Sequence, residues 1–105
     1  MNFLHNLFGG ASPASEELKA VVRNGAFLVD VRTPEEFATG SVPGAVNIPL
    51  DTVPQRVDDF RNKENIVVFC RSGNRSGQAK AFLEQNGIRN VFNGGTWEDV
   101  AALLK

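Results

Sequence analysis

Short apolar runs alternate with amphipathic stretches along the chain, and together they predict strands and helices in turn. The runs at 27–31 (Phe-Leu-Val-Asp-Val) and 66–69 (Ile-Val-Val-Phe) are unbroken enough to be buried strands, and 46–48 and 88–92 read as shorter ones. A first helix opens with Ser12 as N-cap and Pro13 at its first position, buries Leu18, Val21 and Val22, and ends at Asn24-Gly25. Thr33 and Glu36 have capping-box spacing with Pro34 between them, so a second, short helix starts there and stops at Gly40. The stretch 51–61 reads as a helix with Leu50, Val53, Val57 and Phe60 on its apolar side and Pro54 tolerated in the first turn. A fourth helix is expected at 78–86 on Ala79, Phe82 and Leu83. Asn93-Gly94-Gly95 reads as a turn, after which Thr96 caps a last helix with Val100, Leu103 and Leu104 inward.

Strands that alternate with helices in this way predict an α/β fold, a parallel sheet covered on both faces. The first eleven residues stand apart: Phe3, Leu4, Leu7 and Phe8 share one helical face. They read as a short helix folded back on the core; the alternative is a docking surface for a protein acceptor or a dimer. The chain thus divides into an apolar segment, 1–11, and a domain, 12–105.

Composition narrows the class. A chain of 105 residues with 42% hydrophobic residues suits one globular core, and a net charge of −1 argues against a nucleic-acid surface. No apolar run has the length of a membrane span. One cysteine and one histidine (His5) cannot make an all-Cys/His zinc site, and a lone thiol forms no internal disulfide. No such metal site is therefore expected, no cofactor is expected either, and a reducing, cytoplasmic setting fits.

The lone cysteine carries the chemistry. Cys70 closes the central apolar run and is followed by Arg71-Ser72-Gly73-Asn74-Arg75-Ser76-Gly77. A sulfur at a strand-to-helix turn faces unpaired amides and the positive end of a helix dipole. Two arginines add charge, and no acid occurs between Cys70 and Glu84. Such a thiol should ionise below its free value of about 8.5, beneath a loop able to hold an anion. A buried structural cysteine would account for Cys70 but not for the arginines and glycine that follow it. Ser72 and Ser76 can donate to the sulfur or cap the helix. Asp30, at another strand end, is expected to tie loops together with Arg32 as its partner rather than to act chemically. Ligands of such sheets bind outside the carboxyl ends of the strands, where both Cys70 and Asp30 lie.

These motifs resemble those of a known family. Residues 28–37, Leu-Val-Asp-Val-Arg-Thr-Pro-Glu-Glu-Phe, and 40–49, Gly-Ser-Val-Pro-Gly-Ala-Val-Asn-Ile-Pro, look like the amino-terminal signature of rhodanese domains. Residues 70–76 look like their active-site loop, and Asn93-Gly94-Gly95 with Trp97 like their closing glycine pair. The resemblance spans about 12–104. It implies a three-layer α/β/α domain with four or five parallel strands. The activity it implies is sulfur transfer from thiosulfate or a similar small anionic donor to cyanide or a thiol, through a Cys70 persulfide. Arg71, Ser72, Gly73, Asn74, Arg75 and Ser76 would bind substrate; the alternative for the two arginines is a solvated loop or a salt bridge to a carboxylate such as Glu36. Ser41 stands where the family usually has histidine, and the short strand many members place before the first helix is missing from the pattern. Trp97 is expected to pack at the rim.

Other functions have their own marks. A cysteine phosphatase needs its arginine six positions after the cysteine; that position holds Ser76, and Arg75 falls one short. A non-catalytic sulfur carrier or regulatory module would keep the same cysteine, and a sulfenic-acid sensor is a third, weaker reading.

Overall fold

The computed structural model describes residues 13–105. The apolar segment 1–11 and the Ser12 cap lie outside them. The elements in order are helix α1 (Pro13–Arg23), strand β1 (Phe27–Asp30), helix α2 (Pro34–Ala38), strand β2 (Val46–Asn47), two 3₁₀ segments (Leu50–Gln55 and Val57–Phe60), strand β3 (Ile66–Cys70), helix α3 (Asn74–Gln85), strand β4 (Val91–Thr96) and helix α4 (Trp97–Leu103). Among the described residues the sheet has four strands in the order β2-β1-β3-β4, all parallel. Side chains alternate across it and feed two cores. Val29, Ile66, Val68 and Cys70 face Ala79 and Leu83 of α3 and Val53 and Phe60 of the 3₁₀ segments. Leu28, Val67 and Phe69 face Val22 of α1 and Val100 and Trp97 of α4. The result is three layers, α/β/α. Every residue of β3 is buried, as its unbroken apolar run requires.

Several elements differ from the sequence expectation. The helix expected at 51–61 is two 3₁₀ segments, closed by amide bonds from Thr52 to the Pro49 carbonyl, Arg56 to Val53, Asp59 to Arg56 and Arg61 to Asp58. Pro54 lacks an amide and its ring would meet the carbonyl four residues back, which disfavours an α-helix there. The apolar face survives, with Val53 and Phe60 buried. The strand expected at 88–92 begins at Val91 instead. The amides of Gly87 and Ile88 close the end of α3 on the Glu84 and Leu83 carbonyls, so Ile88 has no amide left for the sheet.

That strand then runs on through Asn93-Gly94-Gly95, which reads as a turn. Val68 pairs with Asn93 and Phe69 with Gly95, so Gly94 is a bulge. A Cβ on Gly94 would sit 2.6 Å from Val100 Cγ2 and 3.0 Å from Val67 Cγ1. The glycine is there because α4 packs against the backbone. Thr96 ends β4 and caps α4 by accepting the Asp99 amide at 3.0 Å.

Candidate active site

Cys70 is the last residue of β3 and has no exposed surface. The helix after it starts at Asn74, four residues earlier than expected, so only three residues separate strand from helix. Gly73 makes this possible. It takes the left-handed conformation (φ 93°) at the N-cap, and a Cβ there would lie 3.3 Å from Gly95 Cα. The tight turn aims the Gly73 amide at the sulfur, 3.0 Å away. It also puts Ser76 in the first turn of α3, buried, with its hydroxyl oxygen 3.4 Å from Cys70 Sγ. Burial pushes the thiol up. The Ser76 hydroxyl and the amides of Ser76, Ser72 and Gly73 outweigh that and lower it to about 7. These are donors that stabilise a negative sulfur, placed where the orphan amides of a helix start.

The loop's other residues divide by role. The Ser72 side chain accepts the Asn74 amide at 3.4 Å and so serves the helix start rather than the sulfur. Arg75 places its fork on Glu36, with Nη1 to Oε1 2.7 Å and Nη2 to Oε2 3.0 Å. Glu36 also accepts the Thr33 amide at 2.9 Å as the second half of the capping box. One carboxylate therefore closes α2 and fastens α3 to it. The Arg75 guanidinium and the Thr33 amide hold the Glu36 carboxyl down at about 2, and Glu36 in turn raises Arg75. Arg71 is exposed and has no ion-pair partner among the described residues. It lines a depression of about 380 Å³ with Arg32, Glu35, Glu36, Thr39, Trp97 and Glu98.

Asp30 lies beside this site without entering it. It pairs in register with Phe69, so its side chain leaves the sheet on the face opposite Cys70. There it is fully buried and accepts from the Arg32 amide (2.9 Å), Arg32 Nε (3.0 Å), Arg32 Nη2 (2.7 Å) and the Ser41 hydroxyl (2.7 Å). Arg32 continues to the Gly40 carbonyl at 2.6 Å and lies 5.2 Å from the Trp97 ring. The expected Asp30–Arg32 tie is present, and Ser41 completes it. Trp97 packs at the rim, as expected, and also lines the depression.

Asn93 is the residue that sequence reasoning missed. Its Oδ1 accepts the Ser76 hydroxyl (2.7 Å) and the Gly95 amide (3.0 Å), and its Nδ2 donates to the Gly73 carbonyl (3.1 Å). The only sequence signal was its place before the glycine pair.

A family model described as a rhodanese-like domain matches residues 14–99. A sulfurtransferase of Allochromatium vinosum is 44% identical over 66 residues, 63% of this chain and 62% of that protein, so the chain matches about three fifths of that relative's length. The thiosulfate sulfurtransferase PspE of Escherichia coli is 40% identical over 75 residues, 70% of this chain and 72% of that one. Among solved structures, a rhodanese with anions from E. coli superposes with a TM-score of 0.66 at 38% identity, covering 73% of this chain and 93% of that chain. The human single-domain sulfurtransferase TSTD1 superposes at 0.62 with 27% identity, covering 87% of this chain and 95% of that one.

Proposed function

The chain belongs to the rhodanese-like domain family, and on that premise we propose that it is a sulfurtransferase that moves sulfane sulfur through a Cys70 persulfide. The observation that carries this reading is the sulfur itself: buried, lowered to about 7, and met by the Gly73 amide at 3.0 Å and the Ser76 hydroxyl at 3.4 Å at a strand-to-helix turn. The thiolate attacks the outer sulfur of thiosulfate. A sulfur–sulfur bond forms to Cys70, the bond to sulfite breaks, and its electron pair leaves with sulfite. Cyanide or a thiolate then attacks the outer persulfide sulfur, and the electron pair of the broken bond returns to Cys70. Neither step needs a metal or an organic cofactor. A helix start and a ring of amides suit both anionic states.

Among the described residues of the loop, Arg71 has no ion-pair partner and would meet the donor's sulfonate end, while Arg75 acts through Glu36 to hold the loop. A phosphate monoester fits less well. The phosphatase arginine would sit one position later, and the fork of Arg75 is already filled by a carboxylate. The setting proposed is the reducing cytoplasm, where a free thiol of this kind persists. Among the described residues no helix is long and apolar enough to cross a membrane.

The test is thiosulfate:cyanide transfer. The wild type should turn over, and a folded Cys70→Ser variant should release no thiocyanate above background. Near-wild-type transfer by Cys70→Ser would overturn the assignment.

A further inference from the structure

The amide of Asn93 can point only one way. The Gly95 amide is a donor and needs Oδ1; the Gly73 carbonyl is an acceptor and needs Nδ2. Oδ1 is therefore the atom 2.7 Å from the Ser76 hydroxyl, and Ser76 must be the donor in that bond. A hydroxyl has one hydrogen. While it points at Asn93, the side of Ser76 facing sulfur is a lone pair. That arrangement accepts a thiol S–H across 3.4 Å, but it opposes a thiolate. When the sulfur is an anion, the hydrogen must turn to it and leave Asn93.

We infer that Asn93, on β4 and outside the cysteine loop, is a positioning residue that competes with the Cys70 sulfur for the single hydrogen of Ser76. Resting on the sulfurtransfer reading above, the competition divides the cycle. The hydroxyl turns to sulfur when persulfide discharge returns an electron pair to Cys70. It turns to Asn93 when the inner sulfur is bonded and neutral, and no proton is transferred in either motion. Held by two further bonds, the Asn93 amide stays in place while the hydroxyl moves. Charged groups around this end of the sheet are Arg71 in the loop, Arg75 on α3, Glu35 and Glu36 on α2, Asp30 at the end of β1 and Arg32 just after it, Asp51 in the first 3₁₀ segment, and Glu98 and Asp99 on α4; β4 carries none. All of them are left unchanged by the test.

The test is a two-residue cycle read by the pH dependence of iodoacetamide alkylation of Cys70, in wild type, Asn93→Ala, Ser76→Ala and the double variant. Losing Asn93 also frees the Gly73 carbonyl and the Gly95 amide, and that effect is common to both backgrounds. With it subtracted, Asn93→Ala should lower the midpoint by roughly half to one pH unit more when Ser76 is present than when it is alanine. An equal shift in the two backgrounds, or an upward difference, overturns the inference. Asn93→Ser, too short to reach Ser76, is read in the same way should the alanine variant fold poorly. Alkylation needs no sulfur transfer. A wild type that transfers no sulfur would sink the proposed function and leave this cycle to be decided on its own.

Discussion

Replacing Asp30 by asparagine tests whether the frame behind the cysteine loop is held by a buried ion pair. Asp30 is wholly buried and Arg32 is 4% exposed, and the two share the short Nη2–Oδ2 contact of 2.7 Å. The asparagine keeps one oxygen for Arg32 Nε but turns an NH₂ toward Arg32 Nη2, whose remaining acceptor is the Gly40 carbonyl. Breaking a buried pair from one side leaves an unpaired charge and costs about 3–5 kcal/mol. A domain of this size has about 5–15 kcal/mol in total. With a urea dependence of about 1–3 kcal/mol per molar, the unfolding midpoint should fall by about 2 M. Removing the stranded cation as well, in Asp30→Asn with Arg32→Met, should recover part of the loss. The assay is equilibrium urea unfolding followed by Trp97 fluorescence. A single variant within about 0.5 M of wild type would refute the reasoning, because it would mean that the Arg32 charge is not held by Asp30.

Three further outcomes follow from the site. Iodoacetamide alkylation of Cys70 should titrate with a midpoint near 7, and one at or above the free-thiol value of about 8.5 would show that the donors do not hold the charge. Because the folded thiol lies below its unfolded value, the wild type should gain stability relative to Cys70→Ser as pH rises from about 7 to 9; a constant difference would contradict this. Glu36→Gln should destabilise the fold at neutral pH by weakening the Arg75 tie and the α2 cap. Since the wild-type carboxyl lies near 2, the gap to the variant should close as pH falls from about 4.5 to 2, and a gap independent of pH in acid unfolding would show that the pair is not formed.

Much of this arrangement was legible because it depends on neighbours in sequence. The Thr33–Glu36 box, the unbroken run into Cys70 and the Asp30–Arg32 pair are all set within a few residues, and each appears as expected. What escaped depends on residues far apart. Asn93 meets Ser76 across 17 positions, and the tie of Arg75 to Glu36, which spans 39, stood in the sequence only as the alternative to substrate binding. The early start of α3 rests on Gly73 fitting against Gly95, and a polar string such as Ser-Gly-Asn-Arg carries no sign of that. The glycine pair of β4 was misread for the same reason. Its composition signals a turn, whereas Gly94 lets Val100 and Val67 come within reach of the backbone and Gly95 takes a left-handed φ of 82°.

The central claim is that Cys70 carries the sulfur. Intact-protein mass spectrometry after incubation with thiosulfate tests it most directly. The wild type should gain the mass of one sulfur atom, lose it to cyanide or to a thiol reductant, and show no gain as Cys70→Ser. A wild type that gains nothing, or a Cys70→Ser variant that gains the same mass, would contradict the account.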